Sequence, residues 1–115
     1  MIREVGLFDE NFFMYAEEID WCYRAKKRGW QIGFNPRARV IHYKGKSSKN
    51  GFEAAILGEY EGLLAFFTKH KPSWEMPILK VLLRIGAILR LFIFGVIMND
   101  RIKRRVYEKA FALVR

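Results

Sequence analysis

The run from Ile78 to Met98 constrains this chain more than any other feature. Its 21 residues are almost all apolar, and wound as a helix they extend about 32 Å, close to the thickness of a bilayer core. Lys80, Arg84 and Arg90 interrupt the run, and each basic residue near a bilayer centre costs about 2.5–3.5 kcal/mol. At about 100° per residue the three fall within roughly a third of the helix circumference. The run therefore reads as an amphipathic helix lying at an interface with a basic stripe, and not as a span.

Charge follows the same division. The chain carries 21 Lys and Arg against 12 Asp and Glu in 115 residues, a formal net charge of +9. Residues 1–68 hold ten basic and nine acidic side chains, whereas residues 69–115 hold eleven basic ones against Glu75, Asp100 and Glu108 alone. A nearly neutral first part is thus joined to a part of net +8, which suits an anionic membrane surface. With 51% hydrophobic and 16% aromatic residues the chain is too apolar for a disordered tail, and its length allows one domain at most. The lone cysteine, Cys22, excludes a disulfide framework and a multi-cysteine zinc site. MIREVGLFDE contains no apolar signal-peptide core. Together these point to a cytoplasmic protein, peripheral to the inner face of the cell membrane.

Local patterns predict a mainly helical α+β chain with three to four helices. Residues 6–15, GLFDENFFMY, have no clean period and read as a turn whose aromatic side chains insert into a neighbouring core. Helical order follows from Ala16 to Arg28, with acids in the first turns, Lys26, Lys27 and Arg28 in the last, and Gly29 placed to terminate it. Asp20 and Arg24, four apart, can pair on its surface. Around 31–43 two short runs flank Asn35-Pro36 and predict a β-hairpin or strand pair. KGKSSKNG (44–51) is a polar loop. A second helix is expected from Phe52 to Lys69, with Leu57, Tyr60, Leu64 and Phe67 along one face. Asp100 to Arg115 closes the chain as a basic, then amphipathic, segment.

Few residues are suited to chemistry. Asp9, Glu17, Glu18 and Asp20 lie close together, and Glu18 points about 100° away from Glu17, so one turn offers carboxylates in two directions. The same acids would also compensate a helix dipole on a solvated turn. His42, followed by Gly45, Ser47 and Ser48, could ligate a metal or meet a phosphate, or could be a strand-end imidazole satisfied by a carbonyl. His70, between Lys69 and Lys71 at a helix end, is explained by dipole and solvation. Cys22 reads as a core residue.

The order of these features, GLFDENFFMYAEEIDWCYRAKKRGWQIGFNPRARVIHYKGKSS, resembles the C-terminal half of the catalytic domain of family 2, GT-A-type glycosyltransferases, particularly the rhamnosyltransferase-like members. The resemblance covers roughly residues 2–48. It implies that Asp9, Glu10, Phe12, Phe13 and Tyr15, with Arg24, serve the acceptor side. It places Glu17 and Glu18 on the family's Glu-Asp pair, which supplies the general base, with Asp20 on the same helix. It gives His42, Gly45, Ser47 and Ser48 to the metal and nucleotide diphosphate. Glu18 departs from the family's usual Asp, which lengthens that side chain by one methylene. The implied reaction is inverting transfer of a sugar from a nucleotide-sugar to a glycan or lipid-linked acceptor, with a divalent cation (Mg or Mn) at the leaving diphosphate.

No Asp-x-Asp and no strand–glycine loop–helix unit occurs in the chain, and the family carries both in its N-terminal half. The expectation is therefore a C-terminal remnant of the catalytic domain (1–51) joined to an amphipathic basic helical tail (52–115), a split or truncated frame that binds no cation and is inactive alone. Two other classes compete. One is a helical membrane-surface or oligomerisation module, with the 78–98 face packed on a second copy. The other is a basic nucleic-acid module using Arg101, Lys103, Arg104 and Arg105, disfavoured because it leaves the 78–98 run unexplained.

Overall fold

The computed structural model describes residues 1–12, 14–41 and 51–115. A one-turn helix α1 (Ile2–Val5) precedes α2 (Glu17–Lys27), and after the undescribed segment come α3 (Gly51–His70) and α4 (Glu75–Phe92). The latter runs on into a π-helical segment (Ile93–Ile97) before α5 (Arg101–Leu113).

Each boundary has a local cause. α2 opens on Glu17, Glu18 and Asp20 and ends on Arg24, Lys26 and Lys27, as the helix dipole favours. It stops where Gly29 takes φ +82°, and the N–H groups of Gly29 and Trp30 donate to the carbonyls of Lys26 and Ala25 at 3.0 and 3.1 Å. That pair of bonds is a Schellman motif, which only a residue tolerant of positive φ can close. Beyond α3, Pro72 cannot continue a helix. Pro77 is tolerated because it lies in the first turn of α4, where its missing N–H has no intrahelical partner anyway. The chain then turns through Asn99 at φ +49°, and Asp100 caps α5 by accepting from the N–H groups of Ile102 and Lys103 at 3.1 and 3.0 Å.

α4 and α5 lie antiparallel: Lys80, near the start of α4, donates to the carbonyl of Arg115 at 2.7 Å, while Arg104, near the start of α5, lies against Gly95. They meet α3 around Tyr60, Tyr107, Ala110 and Val114, which form the larger core cluster with Ile56, Leu57, Leu83, Leu91, Phe94 and Leu113. Phe94 and Tyr107 stack with centroids 5.6 Å apart, and the Tyr60 hydroxyl donates to the Leu83 carbonyl at 3.2 Å. A second cluster, Phe12, Ala16 and Phe66 with Tyr23, Ala65 and Phe67, fastens the aromatic loop and α2 to the other end of α3.

Three expectations change. The β-hairpin is not formed: no strand occurs among the described residues, and 31–41 is irregular apart from a turn in which Asn35 accepts from the N–H groups of Arg37 and Ala38. Phe34 and Val40 are 89% and 90% exposed, so this segment has β-forming side chains but no surface to bury them on, and a two-stranded hairpin is marginal without one. His42 and Tyr43 of the expected pair lie outside the described residues. The fold is thus mainly helical, without the β part of α+β in what is described. Finally, the basic residues of α4 do not form a free stripe. Arg84 and Arg90 lie over the rings of Phe111 and Tyr107 at 5.8 and 5.7 Å, so these cations cover α5 with their stems and leave the opposite, apolar face outward. No described helix is long and apolar enough to cross a membrane.

Candidate functional site

The acid-bearing turn is assembled from three directions. Asp9 opens a small turn, its Oδ1 accepting from the N–H and side-chain amide of Asn11 at 2.9 and 2.7 Å. Phe12 then inserts beside Phe66, while Tyr15 and Ala16 take φ of +71° and +69°, a left-handed pair of non-glycine residues that needs outside support. Support comes from α3, where Gly58 and Gly62 leave room: a Cβ on Gly58 would lie 2.6 Å from the Tyr15 ring, and one on Gly62 would lie 2.8 Å from Ala16 Cβ and 2.9 Å from the Tyr15 carbonyl oxygen. The strained pair is held against bare helix backbone, and α2 starts immediately after it.

The N-terminal segment is held to the far side of α2. Arg24 donates from Nε to Asp20, from Nη1 to the Val5 carbonyl and from Nη2 to the Leu7 carbonyl. Trp21 donates to the Gly6 carbonyl at 2.9 Å, and Trp30 to the Glu4 carboxylate at 3.0 Å. Every donor nitrogen of Arg24 named by the resemblance as an acceptor-side group is thus spent within the protein.

Asp20 is fully buried. Its Oδ2 meets Arg24 Nε at 2.7 Å, and its Oδ1 meets Lys69 Nζ at 2.7 Å and His70 Nε2 at 2.6 Å. Burial pushes the Asp20 carboxyl up, but the hydrogen bonds from Lys69, His70 and Arg24 outweigh it and hold the group below the usual carboxylate range. Lys69 also reaches Asp9 Oδ2 at 2.5 Å. That bond, with the Asn11 N–H, lowers Asp9 to about 2, and the two aspartates together raise Lys69 against the desolvation that lowers it. The His70 ring lies between Tyr23 and Phe66, 4.7 and 4.9 Å from their centroids. The expected surface pair of Asp20 and Arg24 is therefore a buried one, and His70, expected to be a solvated helix-end residue, is a buried partner of Asp20.

What remains unneutralised is the start of α2. Among the described residues neither Glu17 nor Glu18 takes part in an ion pair, while Asp9 and Asp20 both do. Glu18 is exposed, and Glu17 Oε2 is shielded from solvent with no hydrogen-bond partner among the described residues. Next to this turn runs a groove of about 660 Å³, walled by Asn11, Phe12, Met14 and Tyr15 on one side and by α3 around Gly58 and Gly62 on the other. Phe12 and Tyr15 of the expected acceptor-side residues line it; Asp9, Glu10 and Arg24 do not, nor do Glu17, Glu18 and Asp20, and the acid in its lining is Glu61 of α3. Phe13, His42, Gly45, Ser47 and Ser48 lie outside the described residues.

Among the described residues no three His, Cys, Asp or Glu side chains converge as metal ligands, and Asp9 and Asp20 are already neutralised by cationic side chains. The described residues do not fit a divalent cation. Residues that local reading missed are Gly58, Gly62, Lys69 and His70. The spacing of the two glycines, four apart on one face of a helix, was the available signal for a close approach.

Comparison with known proteins gives the class. Over 87 residues the chain is 31% identical to the N-acetylglucosaminyl-diphospho-decaprenol L-rhamnosyltransferase of Mycobacterium tuberculosis, covering 76% of this chain and 28% of that protein. It is 35% identical over 52 residues to the rhamnosyltransferase WbbL of Escherichia coli, covering 45% and 20% of the two chains. It is 46% identical over 42 residues to the low-salt glycan biosynthesis hexosyltransferase Agl10 of Haloferax volcanii, covering 36% and 14%. No protein-family profile matches, and neither does any solved structure. The chain is related to rhamnosyl- and hexosyltransferases, and spans less than a third of the length of these relatives.

Proposed function

We propose that this chain is the acceptor-side part of an inverting, GT-A-type family 2 glycosyltransferase acting in cell-wall or polysaccharide biosynthesis. Glu17 or Glu18 takes the proton from the attacking acceptor hydroxyl as its oxygen bonds to the anomeric carbon and the nucleoside diphosphate departs. The reading is carried by one observation: of the acids gathered at this turn, Asp9 and Asp20 are held by cations, while Glu17 and Glu18 pair with no cation among the described residues. A base must be a carboxylate free to accept a proton, and Asp20 is not one. Its role is to position α2, with Lys69 and His70 as the clamp. The adjoining groove, lined by Phe12 and Tyr15, suits the apolar and ring faces of a glycan or lipid-linked acceptor.

Donor binding belongs, in this proposal, to residues beyond those of this chain. A divalent cation would neutralise the leaving diphosphate in the intact enzyme, with His42 the residue here to hold it. The test is transfer of a labelled sugar from nucleotide-sugars to a lipid-linked acceptor, by the 115-residue chain alone and by a hybrid in which it replaces the matching part of the Mycobacterium tuberculosis relative. The chain alone gives no product and the hybrid does. Robust transfer by the isolated chain would overturn the division of labour. A folded hybrid that binds nucleotide-sugar but never transfers would overturn the acceptor-side role.

A further inference from the structure

The outward face of α4 and the π segment is unpartnered. Ile78, Leu82, Ile85, Leu89, Phe92 and Val96 follow one another at spacings of four and three, and each is at least half exposed. Val81 and Ile88 on one flank of α4, and Ile93 and Ile97 in the π segment that continues it, are exposed as well. At about 100° per residue the exposed apolar residues of α4 span about a third of the helix circumference. Its polar boundary is equally defined. Lys80, Arg84 and Arg90 sit on the flank engaged with α5. Where the face ends, Arg101, Arg104 and Arg105 gather with Gly95 in a depression of about 410 Å³. Asp100 and Glu108, the acids there, are occupied, Asp100 by the α5 N-terminus and Lys103, Glu108 by Arg104 at 2.8 Å.

We infer that this face docks on an anionic phospholipid leaflet, with the continuous helix 75–97 lying in the plane of the interface and the arginines at the start of α5 meeting phosphate headgroups. Two observations favour a lipid surface over a second copy of the chain. A helix-to-helix seam is a narrow apolar stripe edged by charged positions, whereas here the stripe is widened by exposed Val81 and Ile88 and prolonged through exposed Ile93, Val96 and Ile97, a surface that suits a plane better than a single cylinder. The surrounding part of the chain, 69–115, carries net +8, so two copies repel where an anionic leaflet attracts. The inference goes beyond sugar transfer and does not depend on it.

Vesicle co-sedimentation of the 115-residue chain tests it, using phosphatidylcholine vesicles with and without about 30% phosphatidylglycerol, at about 0.1 M and 0.5 M NaCl. The chain binds the anionic vesicles at low salt, and binding falls about tenfold or more at high salt or on neutral vesicles. Ile85→Glu with Leu89→Glu removes binding while the helical circular dichroism stays unchanged, since both positions are exposed. Arg101→Glu with Arg105→Glu weakens binding to anionic vesicles and flattens its salt dependence, a second arm independent of the apolar face. Equal binding to neutral and anionic vesicles at both salt concentrations would overturn the inference. So would a dimeric mass by light scattering, abolished by Leu89→Glu, in a chain that stays off the vesicles.

Discussion

Asp20 stays ionised without water because Arg24, Lys69 and His70 reach it from two helices. Removing one member of such a group strands the others, so Asp20→Asn should destabilise the chain by about 2–4 kcal/mol, the lower part of that range reflecting the partly exposed ends of Arg24 and Lys69. The sign of its pH dependence follows from the lowered carboxyls. A depressed folded pKa contributes stability above the unfolded value, 3.8 for these groups, and loses it as pH falls through the folded value. With Asp9 at about 2, the loss falls between about pH 4 and pH 2. Urea unfolding of the wild type and Asp20→Asn should show a stability gap at neutral pH that narrows as pH falls below the unfolded value of 3.8; a gap that does not narrow in acid would contradict the ionised network. The pairing of Asp20 with Arg24 is legible from their spacing, but Lys69 and His70 lie 49 and 50 residues away. Local pattern therefore gave a surface pair where tertiary packing makes a buried one, and made His70 a helix-end bystander.

At the scale of elements, the two kinds of helical glycine make opposite predictions. Gly62→Ala gains helix propensity of about 1 kcal/mol but drives a methyl into the backbone of the Tyr15–Ala16 pair, and overpacking there costs about 1–3 kcal/mol. Gly86→Ala meets the Arg90 guanidinium at 3.2 Å, a flexible side chain able to move aside, and the Tyr60 hydroxyl at an ordinary contact distance of 4.0 Å. Thermal denaturation should place Gly62→Ala below the wild type and Gly86→Ala level with it or above; the reverse order would remove α3 as the support of the strained turn. Helices α2 and α3 are readable in the sequence because their signals are local: charge order, the apolar row, Gly29, Pro72. The strand pair was not, because a strand is completed only by a partner, and Phe34 and Val40 find none. For α4 the periodicity revealed an apolar side and a basic side, but not which of them α5 would cover. The narrower side carrying Ala87, Leu79 and Leu83 is the one that faces the other helices.

Over the whole molecule, the helices form an open arrangement. The radius of gyration is 16.7 Å, against about 13 Å for a compact chain of this length, and two separate clusters at opposite ends of α3 take the place of one core. α3 thereby links the acid-bearing turn to the α4–α5 pair, so the groove lined by Phe12 and Tyr15 and the outward apolar face belong to one helical frame. The kinship to rhamnosyl- and hexosyltransferases was legible in the motifs of residues 2–48. The order of the site was less so: which acids are bound by cations and which pair with none among the described residues depends on contacts between α2 and α3. That division is tested most directly by the sugar-transfer kcat of the hybrid enzyme carrying Glu17→Gln or Glu18→Gln, compared with the unsubstituted hybrid. Loss of a general base predicts that one of the two lowers kcat by about 10²–10⁴-fold with little change in the KM for the nucleotide-sugar, whereas wild-type kcat in both would contradict it.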